Sequence, residues 1–149
     1  MSETTVFEKI LRVRENEKND AQTAYHQSMD YFEGIAKKLY SLLSKKEAAE
    51  DYYQSMTYES IAIERLKEQS TYMSHLNEKI NQLQQQVIVA RNDMEAKQQL
   101  LSDAYIEVKK FEKLIERRWQ ARLIREKAEE AKLMDEISLQ QYIEAKTGE

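Results

Sequence analysis

The 149-residue sequence contains no cysteine and no proline, and its only glycines are Gly34 and Gly148. Because turns between strands draw heavily on glycine and proline, so few of them are typical of long helices and not of sheets. The absence of cysteine excludes disulfides and thiolate metal sites. Two glycines are also too few for a glycine-rich loop that cradles nucleotide phosphates.

Other features that the sequence lacks exclude further classes of function. The longest apolar run, residues 87–90, is far shorter than the ~20 residues of a membrane-spanning helix, and residues 1–5 lack the pattern of a signal peptide. The net charge of −4 argues against nucleic acid as a partner. His26 and His75 are expected on different helices and too far apart to share a metal. The sequence predicts no catalytic residue, no metal site and no cofactor.

The main features of the sequence are two apolar seams, each a series of mostly apolar residues spaced alternately by four and three positions. Alternating steps of four and three from Phe7 to Met56 pass through fifteen positions, of which eleven are apolar. The same steps from Met73 to Ile115 pass through thirteen positions, of which twelve are apolar. This spacing is the core pattern of a coiled coil. The two seams are out of phase near residues 57–60, which favours a turn at that point over a continuous helix.

These seams predict an all-α fold in which two long helices form an antiparallel coiled-coil hairpin. We expect helix one at about 5–56, a turn at about 57–60 and a longer helix two at about 60–143, in a single domain spanning residues 1–149. Thr5 with Glu8 is a plausible capping box for helix one, and Thr57 or Ser60 is the expected cap of helix two. Since no glycine or proline marks the turn, the alternative is one long helix in a parallel dimer.

A hairpin folded at this point places Phe7 opposite about residue 110. Helix two beyond about residue 115 then has no intramolecular partner, and we call this part the C-terminal overhang. Residues 113–132 carry seven basic and four acidic side chains. The overhang is interpreted either as a docking arm or as a solvated helix end. Trp119 is either a binding hot spot or the residue that closes the seam against the start of helix one.

Three stretches resemble the flagellar FliJ family, the small coiled-coil proteins of the bacterial flagellar export apparatus. They are residues 6–15 (VFEKILRVRE), residues 72–80 (YMSHLNEKI), and residues 107–114 (EVKKFEKL) followed by 133–137 (LMDEI). The similarity covers about residues 5–142.

The resemblance implies an adaptor of flagellar protein export and not an enzyme. Family members look like the central stalk of rotary ATPases. The implied partners are the hexameric export ATPase ring, the linker region of the export gate membrane protein, and the chaperones of export substrates. The implied location is cytoplasmic, peripherally associated with the inner face of the cell membrane at the flagellar base.

The same resemblance implies two sets of contact residues. Candidates for contact with the export gate are Tyr72, Leu76, Lys79 and Leu83. Of these, Lys79 and Leu83 depart from the small residue and the histidine that the family pattern leads us to expect, and Leu76 and Leu83 are also seam positions. Candidates for docking to the ATPase ring are Arg117, Arg118, Trp119, Arg122 and Arg125.

Two other functions compatible with a coiled coil were considered. One is a structural homodimeric coiled-coil spacer with no role in export, which would be a parallel dimer. The other is a holding chaperone that covers unfolded clients with its apolar seams, which would suppress the aggregation of unrelated proteins.

Overall fold

The computed structural model describes residues 2–59 and 62–148, and within these ranges it contains two α-helices and no strand. Helix α1 spans Ser2–Tyr58 and helix α2 spans Ile63–Thr147, and they contain 57 and 85 residues respectively. The two helices pack against each other as a hairpin in which α2 is the longer. The predicted fold is confirmed, and the alternative of a single continuous helix is wrong.

The chain divides into two compact units, each built from both helices. One unit consists of Met1–Lys18 with Ala104–Glu149, and the other consists of Asn19–Asp103. Pairing is antiparallel within each unit. In the second unit the Gln69 side-chain amide donates to the Ala49 carbonyl at 3.5 Å, and the Arg91 guanidinium lies 5.8 Å from the centre of the Phe32 ring. The single domain suggested by the sequence stays a prediction.

Both predicted seams face inward. Each of the fifteen positions from Phe7 to Met56 and each of the thirteen from Met73 to Ile115 is buried or partly buried. The most buried apolar side chains of the second unit all lie on these seams: Ile35, Ala49, Met56, Leu76, Ile80 and Ala90. In the first unit the most buried is Val108, which is 4% exposed. Burial of one stripe per helix is therefore the main source of stability.

Two polar residues on the seams, Ser28 and Lys97, have partners close by in sequence. Ser28 is 6% exposed, and its hydroxyl donates to the Tyr25 carbonyl at 2.7 Å, so this buried polar group is satisfied. Lys97 lies on the seam of α2, and its ammonium pairs with Asp93 at 2.9 Å while its aliphatic stem remains half-buried. A long basic side chain can thus occupy a seam position without burying its charge.

The turn between the helices differs in detail from the expectation. Thr57 lies inside α1, where its hydroxyl donates to the Gln54 carbonyl at 2.7 Å, so it does not cap α2. The other expected cap, Ser60, lies outside the described residues. The Ala62 carbonyl accepts the first bonds of α2, from the backbone N–H groups of Arg65 at 3.1 Å and Leu66 at 3.4 Å. Glu64 in the first turn is favourable to the helix dipole.

Both helices end later than predicted, and α1 also begins earlier. Helix α1 begins at Ser2 and not near residue 5, so Thr5 lies within the helix and is not its N-cap. Helix α2 begins at Ile63 and continues to Thr147, past the predicted end near residue 143. The backbone N–H of Gly148 donates to the Glu144 carbonyl at 2.9 Å and closes the last turn. Since no proline or earlier glycine interrupts this stretch, nothing stops the helix before that point.

Gly34 provides a test of helix stability, because it lies on an exposed face in the interior of α1. A β-carbon built at this position meets no atom within 4 Å. We expect Gly34→Ala to raise the free energy of unfolding by about 1 kcal/mol, because alanine loses less backbone entropy than glycine on helix formation. Urea denaturation measures this change. The matched control, Ala48→Gly on another exposed position of α1, should lower the free energy of unfolding by a similar amount. An unchanged free energy of unfolding in Gly34→Ala would contradict this expectation.

Candidate functional site

An aromatic and cationic cluster ends the paired part of the first unit. The rings of Phe7 and Phe111 have centroids 6.4 Å apart at an angle of 39°. The Arg118 guanidinium lies 4.5 Å from the centre of the Phe7 ring, and the Arg14 guanidinium lies 5.9 Å from that of Phe111. These distances are within the range of favourable cation–π contacts. The pairing of Phe7 with Phe111 agrees with the position, about residue 110, that the seams predict.

Arg14 shows how the cluster holds a charge at a seam position. Its Nη1 atom pairs with the Glu17 carboxylate at 3.0 Å, while its Nε atom is buried without a hydrogen-bond partner. The face of the Phe111 ring provides part of the compensation, because its negative quadrupole attracts the guanidinium. One turn after Arg14 on α1, the Lys18 ammonium lies 5.5 Å from the centre of the Tyr105 ring of α2. Arg14 and Lys18 of α1 therefore face aromatic rings of α2, while Arg118 of α2 faces the Phe7 ring of α1.

The C-terminal overhang begins directly after this cluster. Every residue from 116 to 148 is exposed, whereas Leu114 and Ile115 before them are partly buried. The overhang is therefore the part of α2 that α1 does not cover within the first unit. Its helix is supported locally: the Arg122 Nε atom donates to the Glu126 carboxylate at 3.2 Å, one turn along the helix. Such i,i+4 pairs contribute only a few tenths of a kcal/mol each, about 0.3–0.5.

All five candidates for ring docking lie on the overhang, but their surroundings differ. Arg118 packs on the Phe7 ring and so belongs to the cluster as well as to the overhang. Trp119 is 50% exposed, and the Arg122 guanidinium lies 5.8 Å from the centre of its ring. Arg117 and Arg125 are exposed. The overhang thus presents a half-exposed indole beside several arginines, a combination that is enriched at protein interfaces.

The four gate candidates lie on one flank of α2 within the second unit, and they divide into two pairs. Tyr72 is 46% exposed and Lys79 is exposed, so both side chains can reach a partner. Leu76 is only 5% exposed and Leu83 is partly buried, because both are seam residues that face α1. The structure therefore assigns packing to the two leucines and leaves the tyrosine and the lysine available for contact.

Across residues 2–59 and 62–148, no group of three or more histidine, cysteine, aspartate or glutamate side chains is arranged to hold a metal ion. His26 and His75 are both exposed. Over the same residues, neither helix has a stretch that is apolar and long enough to cross a membrane.

Comparison with known proteins gives the identity of the family. Residues 3–147 match the sequence pattern of the family described as "Flagellar FliJ protein". The chain belongs to the flagellar FliJ family. A relative in this family, the flagellar FliJ protein of Bacillus subtilis strain 168, is 37% identical over 137 residues, which cover 92% of this chain and 93% of that protein. No solved structure matches the chain. Membership of the FliJ family indicates that this chain is a component of the flagellar export apparatus. The family is non-catalytic.

The cluster around Phe7 was not predicted from the sequence of this FliJ-family chain, although one signal was available. Arg14 and Lys18 interrupt the seam of α1 at two successive core positions. Aromatic residues at Tyr105 and Phe111, in the region of α2 that the hairpin places opposite, are the natural partners of such cations. Reading the two seams against each other in antiparallel order would have identified the cluster.

Phe7 allows the cluster to be tested. We expect Phe7→Ala to weaken pairing at this end by about 2 kcal/mol, because it removes a half-buried ring and its contacts with Phe111 and Arg118. Hydrogen exchange of the backbone amides of residues 4–18 measures the loss as faster exchange. Val6→Ala, at an exposed neighbouring position, is the matched control and should leave exchange unchanged. Equal protection in the two variants would show that the ring contacts contribute nothing.

Proposed function

We propose that this chain is an adaptor of flagellar protein export that works by binding other proteins and has no catalytic activity of its own. Its overhang docks in the hexameric export ATPase in the manner of a central stalk and stimulates ATP hydrolysis. A second surface, on α2 in the Asn19–Asp103 unit, contacts the linker of the membrane export gate. In this role the protein is cytoplasmic and associates peripherally with the inner face of the membrane at the flagellar base. It also binds the chaperones of export substrates.

The observation that carries the proposal is the uncovered stretch at the end of α2. Residues 116–148 form 33 consecutive exposed positions. Apart from Arg118, which packs on the Phe7 ring, the contacts described along this stretch are local, such as the pair of Arg122 with Glu126. An isolated helix of this kind is marginal in water unless it packs on a partner. Arg117, Trp119, Arg122 and Arg125 give its first turns the aromatic and guanidinium groups that anchor protein interfaces. Family membership supports the export apparatus as the setting in which to look for that partner.

Hydrolysis of ATP by the export ATPase of the same organism tests the docking. We expect the full chain to stimulate hydrolysis and a version that ends at Leu114 to fail, because the shorter chain keeps every seam position except Ile115 but lacks the overhang. Arg122→Glu with Arg125→Glu should weaken stimulation about tenfold or more at limiting protein, since reversed charges oppose an interface built for arginine.

The control for this experiment reverses two charges elsewhere. Lys37→Glu with Lys38→Glu makes the same change of charge on exposed positions of α1 in the Asn19–Asp103 unit, and stimulation should persist. Stimulation by the version that ends at Leu114 would move docking onto the paired helices. If the full chain neither bound nor stimulated the ATPase, the adaptor proposal would fail and a coiled-coil spacer would be left.

The gate contact has a test of its own, based on the division of the four candidates. Tyr72→Ala and Lys79→Glu should weaken binding to the gate linker without lowering the melting temperature, because both side chains are exposed. Leu76→Ala should instead lower the free energy of unfolding by about 2–3 kcal/mol, because it leaves a cavity in the seam. Isothermal titration and thermal unfolding measure the two effects. Loss of binding in Leu76→Ala alone, with stability intact, would reverse this assignment.

A further inference from the structure

The overhang carries an apolar stripe that no part of the first unit covers. Heptad steps along it pass through Trp119, Leu123, Leu133 and Ile137, whose side chains are 50%, 49%, 57% and 42% exposed. The two heptad positions between them are occupied by Glu126 and Glu130. A stripe of this spacing is the seam of a coiled coil that lacks its second helix.

This stripe is symmetric about residue 128. Reversing the direction of the helix about that residue exchanges Trp119 with Ile137 and Leu123 with Leu133. A second copy of the overhang, running antiparallel, would therefore place an apolar side chain opposite each apolar side chain of the first. The same operation brings Glu126 opposite Glu130 in the central layers.

The charges of the overhang reverse at the same point. Residues 116–127 contain five basic and two acidic side chains, a net charge of +3. Residues 128–137 contain one basic and four acidic side chains, a net charge of −3. In an antiparallel pair each basic half lies along the acidic half of the other copy, whereas in a parallel pair like halves meet. The charge pattern therefore favours one orientation.

We propose that the overhang pairs with the overhang of a second copy of this chain, as an antiparallel two-helix coiled coil centred on residue 128. The Arg122 side chain lies on the flank of the stripe, as does that of Glu136, and the antiparallel arrangement brings these two together between copies. A parallel arrangement would instead place Arg122 near Lys127 of the second copy, where like charges oppose pairing.

The central glutamates limit the strength of this pairing. Glu126 already accepts a hydrogen bond from Arg122 in its own chain, so part of its charge is compensated. Glu130 has to approach Glu126 of the second copy, which costs stability at a core position. The pairing is therefore reversible and depends on protein concentration and on salt. It uses the same residues that we propose for ring docking, so a second copy and the ATPase ring compete for the overhang.

Sedimentation equilibrium of the full chain, with no ATPase present, tests the pairing. We expect the mass to rise with concentration from that of one 17.7 kDa chain towards that of two. The version that ends at Leu114 should remain monomeric at every concentration. A monomeric full chain throughout, or association that survives this truncation, would overturn the proposal. Because the ATPase is absent, the result of this experiment does not depend on whether the chain stimulates ATP hydrolysis. Failure of the pairing can therefore be distinguished from failure of the proposed function.

Charge reversal gives a sharper form of the test. A first variant carries Arg117→Glu, Arg122→Glu and Arg125→Glu, and a second carries Glu129→Lys, Glu130→Lys and Glu136→Lys. Each alone should associate at least about tenfold more weakly than the natural chain. An equimolar mixture should recover a dimer, because the overhang of one copy is now predominantly acidic and that of the other predominantly basic. Recovery in the mixture also shows that neither variant has simply lost its helix.

The control for charge itself carries Lys37→Glu, Lys38→Glu and Lys45→Glu, three exposed positions on α1, and should associate as the natural chain does. Weakened association in this control, or a mixture that stays monomeric, would count against pairing through the overhang.

Single cysteines establish the orientation, because the natural chain contains none. Leu123→Cys and Leu133→Cys variants, mixed and treated with a short bis-maleimide, should form a cross-linked heterodimer. Each variant alone should cross-link poorly, since the two positions of an antiparallel pair lie about 15 Å from their own counterparts. Efficient cross-linking of either variant with itself would show a parallel pair and overturn the proposal.

Discussion

The structure depends on the burial of two narrow apolar stripes against each other. Each stripe occupies one side of a helix that is otherwise charged or polar, and neither helix could persist for its full length in water without the other. The stripes also determine where pairing stops, because α1 provides partners for α2 only as far as the contact of Phe7 with Phe111. The exposed stretch from residue 116 onwards thus results from the unequal lengths of the two helices, because α1 has no further seam residue to pack against it.

The sites follow from this division between covered and uncovered positions. On the paired part, the apolar residues are occupied with packing, so contact with partners falls to flanking side chains such as Tyr72. On the overhang, the stripe residues themselves are exposed, and Trp119 lies beside arginines. Arg118 joins the two regions, because its guanidinium lies over the Phe7 ring while its backbone belongs to the overhang. A partner that binds the Arg118 side chain would therefore compete with its contact to Phe7 at the end of the seam.

The seams were predictable from the sequence, and the details at helix ends were not. Heptad spacing is a strong signal over fifteen and thirteen positions, so the inward-facing residues, the antiparallel pairing and the start of the overhang could all be derived. Thr57 shows the limit: its hydroxyl can cap a following helix or bond to the preceding turn, and local sequence does not distinguish the two. The cluster of Phe7, Arg14, Phe111 and Arg118 does not follow from heptad spacing, because that spacing identifies Arg14 only as a polar position on the seam and does not show which aromatic ring lies opposite.

The shallowness of the core has a thermodynamic consequence. Among the described residues, no large side chain is buried to below 2% exposure, so unfolding uncovers little apolar surface for each residue. A small change in accessible surface gives a weak dependence on denaturant and a small change in heat capacity, and so a flat stability curve. Each layer also contacts only its neighbours, as in repeat proteins, so a few layers can separate while the rest remain paired. Leu76 and Leu83 can then become accessible through local opening, at a cost far below that of unfolding the whole chain.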